Sequence, residues 1–61
     1  MTEQEIKERI LNHLQSIAIQ SVEAQSNLDD LDKLIDLLDD IERDTETCTK
    51  LVTQIATGVK E

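Results

Sequence analysis

Apolar side chains recur every three or four positions along most of the chain, which is the spacing of one face of an α-helix. In the first third, spacings of four, four and three residues separate Ile6, Ile10, Leu14 and Ile17. Just before them, Thr2 and Glu5 have the spacing of a capping box, in which each side chain accepts a hydrogen bond from the other residue's free backbone amide. This pattern predicts a first helix over residues 3–24.

The rest of the chain continues the helical pattern after one turn. Residues 25–27 are the predicted turn, because Ser and Asn side chains compete with a helix for backbone hydrogen bonds. Ser26 with Asp29 repeats the capping pattern of the first helix. Residues 28–43 are strongly amphipathic, with Leu and Ile in one half of the helical wheel and Asp in the other. A further helical face covers residues 48–58, and residues 44–47 between the two have weak helix propensity but no proline or glycine. Two models remain: three short helices with a break at 44–47, or a hairpin with one long second arm.

Both models are all-α and place residues 1–61 in a single helical domain. A chain this short leaves much of its apolar surface uncovered, so we expect self-association or a partner helix to complete a helical bundle. The side chains predicted to form this oligomer or partner seam are Ile10, Leu14, Ile17, Leu28, Leu31, Leu34, Ile35, Leu38, Ile41, Val52 and Ile55.

The charge is acidic and unevenly distributed. Fourteen acidic and six basic residues give a net charge of −8. Residues 23–46 carry −8, whereas residues 1–22 and 47–61 carry −1 and +1. A surface of this kind can steer a basic partner, or it can simply keep the protein soluble. The predicted acidic partner face consists of Asp29, Asp32, Asp36, Asp39 and Asp40.

Composition argues against several partners. A negative chain without aromatic residues lacks both the cations that bind phosphates and the rings that stack on bases, so we expect no direct nucleic-acid binding. The longest apolar run, residues 17–19, is far below the roughly 20 residues that cross a bilayer, so we expect no membrane association. The mixed charges of residues 1–10 differ from a secretory signal, and a single cysteine forms no internal disulfide, which together predict a cytoplasmic protein.

Residues suited to catalysis or metal binding are few. His13 is expected at the boundary of the apolar face or in solvent, and Cys48 is expected as a buried thiol that packs as a small hydrophobe. One cysteine and one histidine fall short of the four ligands of a structural zinc site, and the aspartates follow a helical rather than a calcium-loop spacing. We expect no metal, no cofactor, no small-molecule substrate and no catalysis.

Two functions are compatible with these features. The leading interpretation is a non-enzymatic intracellular helical protein–protein interaction module, an oligomerisation or scaffold subunit. The alternative is a small acidic regulatory inhibitor that binds a basic or nucleic-acid-binding protein through the Asp-rich helix face. The first depends on the apolar side chains and the second on the carboxylates.

Overall fold

The computed structural model describes residues 2–58 and contains two helices that pack against each other. Helix α1 spans Glu3–Gln25 and helix α2 spans Leu31–Ala56. Contacts such as His13 with Asp44 and Glu23 with Lys33 show that the helices run antiparallel. The hairpin measures 46 Å along its axis and 14 by 13 Å across it. The prediction of an all-α fold is confirmed.

The start of α1 is the capping box that the sequence predicts. The Thr2 amide donates to Glu5 Oε1 and the Glu5 amide donates to Thr2 Oγ1, both at 3.1 Å. The hydrogen bond from the Thr2 backbone amide, followed by the Thr2 side chain, holds the pKa of the Glu5 carboxyl below its ordinary value. Two free backbone donors are thereby satisfied, which explains why the helix begins at Glu3.

The connection between the helices is longer than the predicted turn at 25–27 and covers residues 26–30. Asp30 caps α2 by accepting the Lys33 amide at 3.2 Å, whereas Ser26 is the C-terminal cap of α1. Leu28 therefore lies in the connection, and the prediction that the second helix begins there is wrong. Both Ser26 and Asp30 are good capping residues, so residue type alone did not distinguish them.

Helix α2 continues through residues 44–47, so of the two models the hairpin with one long second arm is observed and the three short helices with a break are not. The threonines of this region lie within the helix, and their hydroxyls donate to carbonyl oxygens one turn earlier. These bonds measure 2.8 Å from Thr45 to Ile41 and 3.0 Å from Thr47 to Arg43. Helix α2 ends at Ala56, and Gly58 follows with a φ of 85°, a left-handed conformation that suits glycine.

The contact between the helices, here called the intrachain interface, repeats at alternating spacings of three and four residues. This is the heptad spacing of coiled coils. Every member is buried or half-buried. Helix α1 contributes Ile6, Ile10, His13, Ile17, Gln20 and Ala24, and α2 contributes Leu34, Leu37, Ile41, Asp44, Cys48, Leu51 and Ile55. The burial of Cys48 confirms the prediction of a buried thiol.

Candidate functional site

The predicted seam residues fall into two groups in the structure. The group that lies in the intrachain interface consists of Ile10, Ile17, Leu34, Ile41 and Ile55. The group that remains exposed consists of Leu14, Leu28, Leu31, Ile35, Leu38 and Val52. The interface also contains Ile6, Leu37 and Leu51, which the predicted seam omits. On the helical wheel of a single helix, the interface residues and the apolar residues beside them form one continuous surface. In the packed hairpin, the interface residues are covered by the other helix and the residues beside them stay exposed.

Six exposed aliphatic side chains share one side of the hairpin, here called the apolar face. Most follow an interface residue by one position, as Leu14 follows His13 and Leu38 follows Leu37. Consecutive side chains of a right-handed helix point about 100° apart around the helix axis. In two antiparallel helices, the residues that directly follow interface residues therefore lie on the same side of the hairpin. The apolar face consists of Leu11, Leu14, Leu31, Ile35, Leu38 and Val52. Ile19 and Val22 are also exposed but point elsewhere.

The predicted acidic face lies away from the apolar face. Four of its aspartates are exposed, and Asp40 is half-buried with Oδ1 3.8 Å from a guanidinium nitrogen of Arg43. On the same side, Lys33 Nζ lies 3.7 Å from Glu23 Oε1 and links the two helices. Both of these residues precede an interface residue by one position, which places them opposite the apolar face. The two broad sides of the hairpin therefore differ in chemistry.

A polar cluster interrupts the apolar intrachain interface near its middle. Asp44 Oδ1 accepts a hydrogen bond from His13 Nδ1 at 2.9 Å, and Asp44 Oδ2 accepts one from the Ser16 hydroxyl at 3.0 Å. The bond from His13, followed by that from Ser16, holds the pKa of the Asp44 carboxyl below its ordinary value. His13 lies at the boundary, as predicted, but nothing in the local sequence indicated a partner in the other helix.

The order of hydrogen bonds in this cluster differs from that of a nucleophilic triad. In a triad the hydroxyl donates to the imidazole, which then removes the proton. Here the Ser16 hydroxyl donates to Asp44, and the carboxylate lies between the serine and His13. The contact therefore orients both α1 side chains without activating the serine oxygen.

Two further observations concern the part of the chain that the structure describes. Among residues 2–58, no group of three or more His, Cys, Asp or Glu side chains is arranged to hold a metal ion. Neither of the two described helices is long and apolar enough to cross a membrane.

Comparisons with protein-family models, with curated proteins and with solved structures find no match. Function is therefore inferred from the surfaces of the hairpin.

Proposed function

We propose that this chain is a non-enzymatic intracellular helical protein–protein interaction module, an oligomerisation or scaffold subunit that binds through its apolar face. The observation that carries the proposal is that six aliphatic side chains, each more than half exposed, share one side of the hairpin. Contiguous apolar patches of this kind mark interaction sites. Fully burying an exposed side chain of this type contributes about 1.5–3 kcal/mol, and because these six are already partly covered, each contributes roughly half of that to association.

The non-enzymatic part of the proposal is supported by the polar groups of the hairpin. The Ser16 hydroxyl donates to a carboxylate instead of a base, and the Cys48 thiol is buried in the intrachain interface. A thiol acts as a nucleophile when it is ionised and accessible. Neither side chain has the surroundings of an activated nucleophile.

The direct test is site-specific photocrosslinking in the cells that produce the protein. A benzophenone amino acid replaces Leu38 in the apolar face, and the matched control carries it at Ile19, which is 69% exposed but lies off the face. We expect a covalent adduct with a protein, whether another copy or a different chain, at position 38 and little at position 19. Equal labelling at both positions, or none, would contradict an interface at the apolar face.

A second function is favoured by the position of the acidic face. Because the aspartates point away from the apolar face, they remain accessible after that face is covered. The hairpin could then act as a regulatory inhibitor that holds a basic or nucleic-acid-binding protein by its carboxylates. Its partner would carry clustered Lys and Arg side chains, and binding would weaken with salt.

Charge reversal separates the two functions. Replacing Asp29, Asp32, Asp36 and Asp40 with Lys should abolish the binding of a lysine-rich helical peptide and leave the helical circular-dichroism signal unchanged. The probe is the labelled peptide, and fluorescence anisotropy measures its binding at low and physiological salt. Unchanged affinity for the peptide would refute the inhibitor function and leave the apolar-face proposal untouched.

A further inference from the structure

We infer that the apolar face is covered by a second copy of this chain, packed face to face. The second hairpin is turned end for end, so that the connections of the two copies lie at opposite ends of the dimer. This inference rests on the proposed function, because it assumes that the apolar face is an interface, and it names the occupant. Three features of the hairpin support it: the size of the face, the arrangement of large and small side chains on it, and the distribution of charge along the molecule.

The size of the face matches what a stable dimer needs. The hairpin is 46 Å long and 14 Å wide between Cα atoms, so the backbone outline of one broad side covers about 640 Å² (46 multiplied by 14). A specific interface buries about 800 Å² on each partner. Accessible surface exceeds this flat outline because side chains extend beyond it, so a second copy has to cover most of the broad side to bury an interface of standard size.

The need for a second layer follows from the small core. Within residues 2–58, the buried apolar residues are five: Ile6, Ala24, Leu37, Cys48 and Leu51. Two helices with one interface bury a single stripe each, whereas a four-helix bundle buries a wider face of every helix. Pairing two copies adds six aliphatic side chains from each chain to the core.

Two pairs of large and small side chains on the broad side meet when the second copy is reversed. Near the connection, α2 presents Leu38 and α1 presents Ala18; at the other end, α1 presents Leu11 and α2 presents Thr49. When the second copy is turned end for end, α1 packs on α1 and α2 on α2. Leu11 then faces the second copy's Ala18, and Leu38 faces its Thr49. Each of these two pairs joins a large side chain to a small one, which lets them interdigitate. The same register places Ile35 on the second copy's Val52, an aliphatic contact, and Glu42 beside its Thr45.

Charge selects the reversed orientation. Two hairpins packed in the same direction would also place large side chains on small ones. However, residues 15–43, the half next to the connection, carry a net charge of −6, and the remaining residues carry −2. Packing in the same direction brings the two strongly acidic halves together, whereas reversal places each beside a weakly charged half. Like charges repel, so the reversed dimer has the lower electrostatic energy.

The first test is the mass of the purified chain by light scattering with refractive-index detection. We expect twice the 6.9 kDa of one chain. The Leu38→Asp variant should have the mass of one chain at the same concentration, a loss of affinity of at least about 100-fold from a charge buried within the face. The Ile19→Asp variant places the same carboxylate off the face and should keep the doubled mass.

If Leu38→Asp fails to fold, the thermal unfolding midpoint of the unmodified chain, measured at several protein concentrations, tests the inference instead. A dimer unfolds at a temperature that rises with protein concentration, and a monomer does not. A helical monomer with a concentration-independent midpoint would overturn the inference. If crosslinks at position 38 then join the chain to a different protein, the proposed function stands; if neither position crosslinks preferentially, both fail.

Orientation is tested separately by pulsed electron paramagnetic resonance. A spin label at Ser26→Cys, in a Cys48→Ala background, marks the connection end of each hairpin. The reversed dimer should separate the two labels by a distance comparable with the 46 Å axis of the hairpin. A distance below about 20 Å, comparable with the thickness of two packed helix layers, would show hairpins packed in the same direction and overturn the proposed orientation.

Discussion

Asp44 is the residue that ties the two helices together through polar contacts. Its two carboxylate oxygens accept hydrogen bonds from His13 and Ser16, so each oxygen has a hydrogen-bond partner inside a largely apolar interface. A slip of one heptad along α1 would place Asp44 opposite Ile6 or Gln20 instead of His13. Neither residue supplies an imidazole donor, so the observed register is the one that bonds the two carboxylate oxygens to His13 and Ser16.

Replacing Asp44 with Asn should destabilise the hairpin in a pH-dependent way. The lowered pKa means that the ionised carboxyl adds stability above its ordinary value of 3.8, and this stability is lost as the pH falls through the lowered pKa. We therefore expect the difference in thermal midpoint between the unmodified chain and Asp44→Asn to be largest near neutral pH. It should shrink at pH values below 3.8.

Circular dichroism at a series of pH values measures this difference. Asp39→Asn removes an exposed carboxylate from the same helix and controls for the loss of one negative charge. A gap that stays constant across the acidic range would show that the ionised form of Asp44 contributes no stability.

At the level of the helices, both start at a side chain that satisfies free backbone donors. Thr2 and Glu5 form the capping box of α1, and Asp30 accepts the Lys33 amide at the start of α2. Helix α2 passes through a threonine-rich stretch because the hydroxyls bond within the helix and because Asp44 and Cys48 are held by α1. Tertiary contacts here outweigh weak intrinsic propensity.

The Asp30→Ala substitution should lower the free energy of unfolding by about 1 kcal/mol, the usual cost of losing an N-cap. Asp29→Ala is the matched control, because Asp29 is the neighbouring exposed carboxylate and its loss changes the net charge equally. Urea unfolding followed by circular dichroism compares the two variants. Equal stabilities would mean that the Asp30 side chain contributes nothing specific to the start of α2.

For the whole molecule, the dominant feature is the separation of an apolar side from an acidic side. The six aliphatic side chains of the apolar face are available for packing, while four of the five aspartates are exposed to water and Asp40 is half-buried. The net charge of −8 is large for 61 residues and opposes both compaction and close approach of a second copy. Stability and association are therefore set by apolar burial working against electrostatic repulsion.

This balance predicts that added salt stabilises the protein. Raising sodium chloride from about 10 mM to about 150 mM shortens the Debye length from about 30 Å to about 8 Å, so repulsion along the hairpin is screened. We expect the thermal unfolding midpoint to rise with the salt concentration. In an Asp32→Asn, Asp36→Asn double variant, which has less negative charge to screen, the midpoint should rise less steeply. A midpoint that falls with salt would mean that attractive pairs such as Glu23 with Lys33 outweigh the repulsion.

Several features could be read from short stretches of sequence. The capping box at Thr2 and Glu5, the helical periodicity and the burial of Cys48 depend on residues within a few turns of one another, and all three are observed. The position of Asp30 as the second N-cap was missed, because Ser26 has equal capping chemistry and only the packed connection separates the two.

The split of the apolar residues into two surfaces required the tertiary structure. Periodicity identifies Ile10, Leu14, Leu34 and Leu38 as apolar positions of helices, but their burial depends on how each helix is rotated against the other. The contact between His13 and Asp44 spans 31 positions of sequence and exists because the antiparallel register brings them together. Neighbouring residues thus determine where helices form, whereas packing between distant residues determines which of their faces stay open.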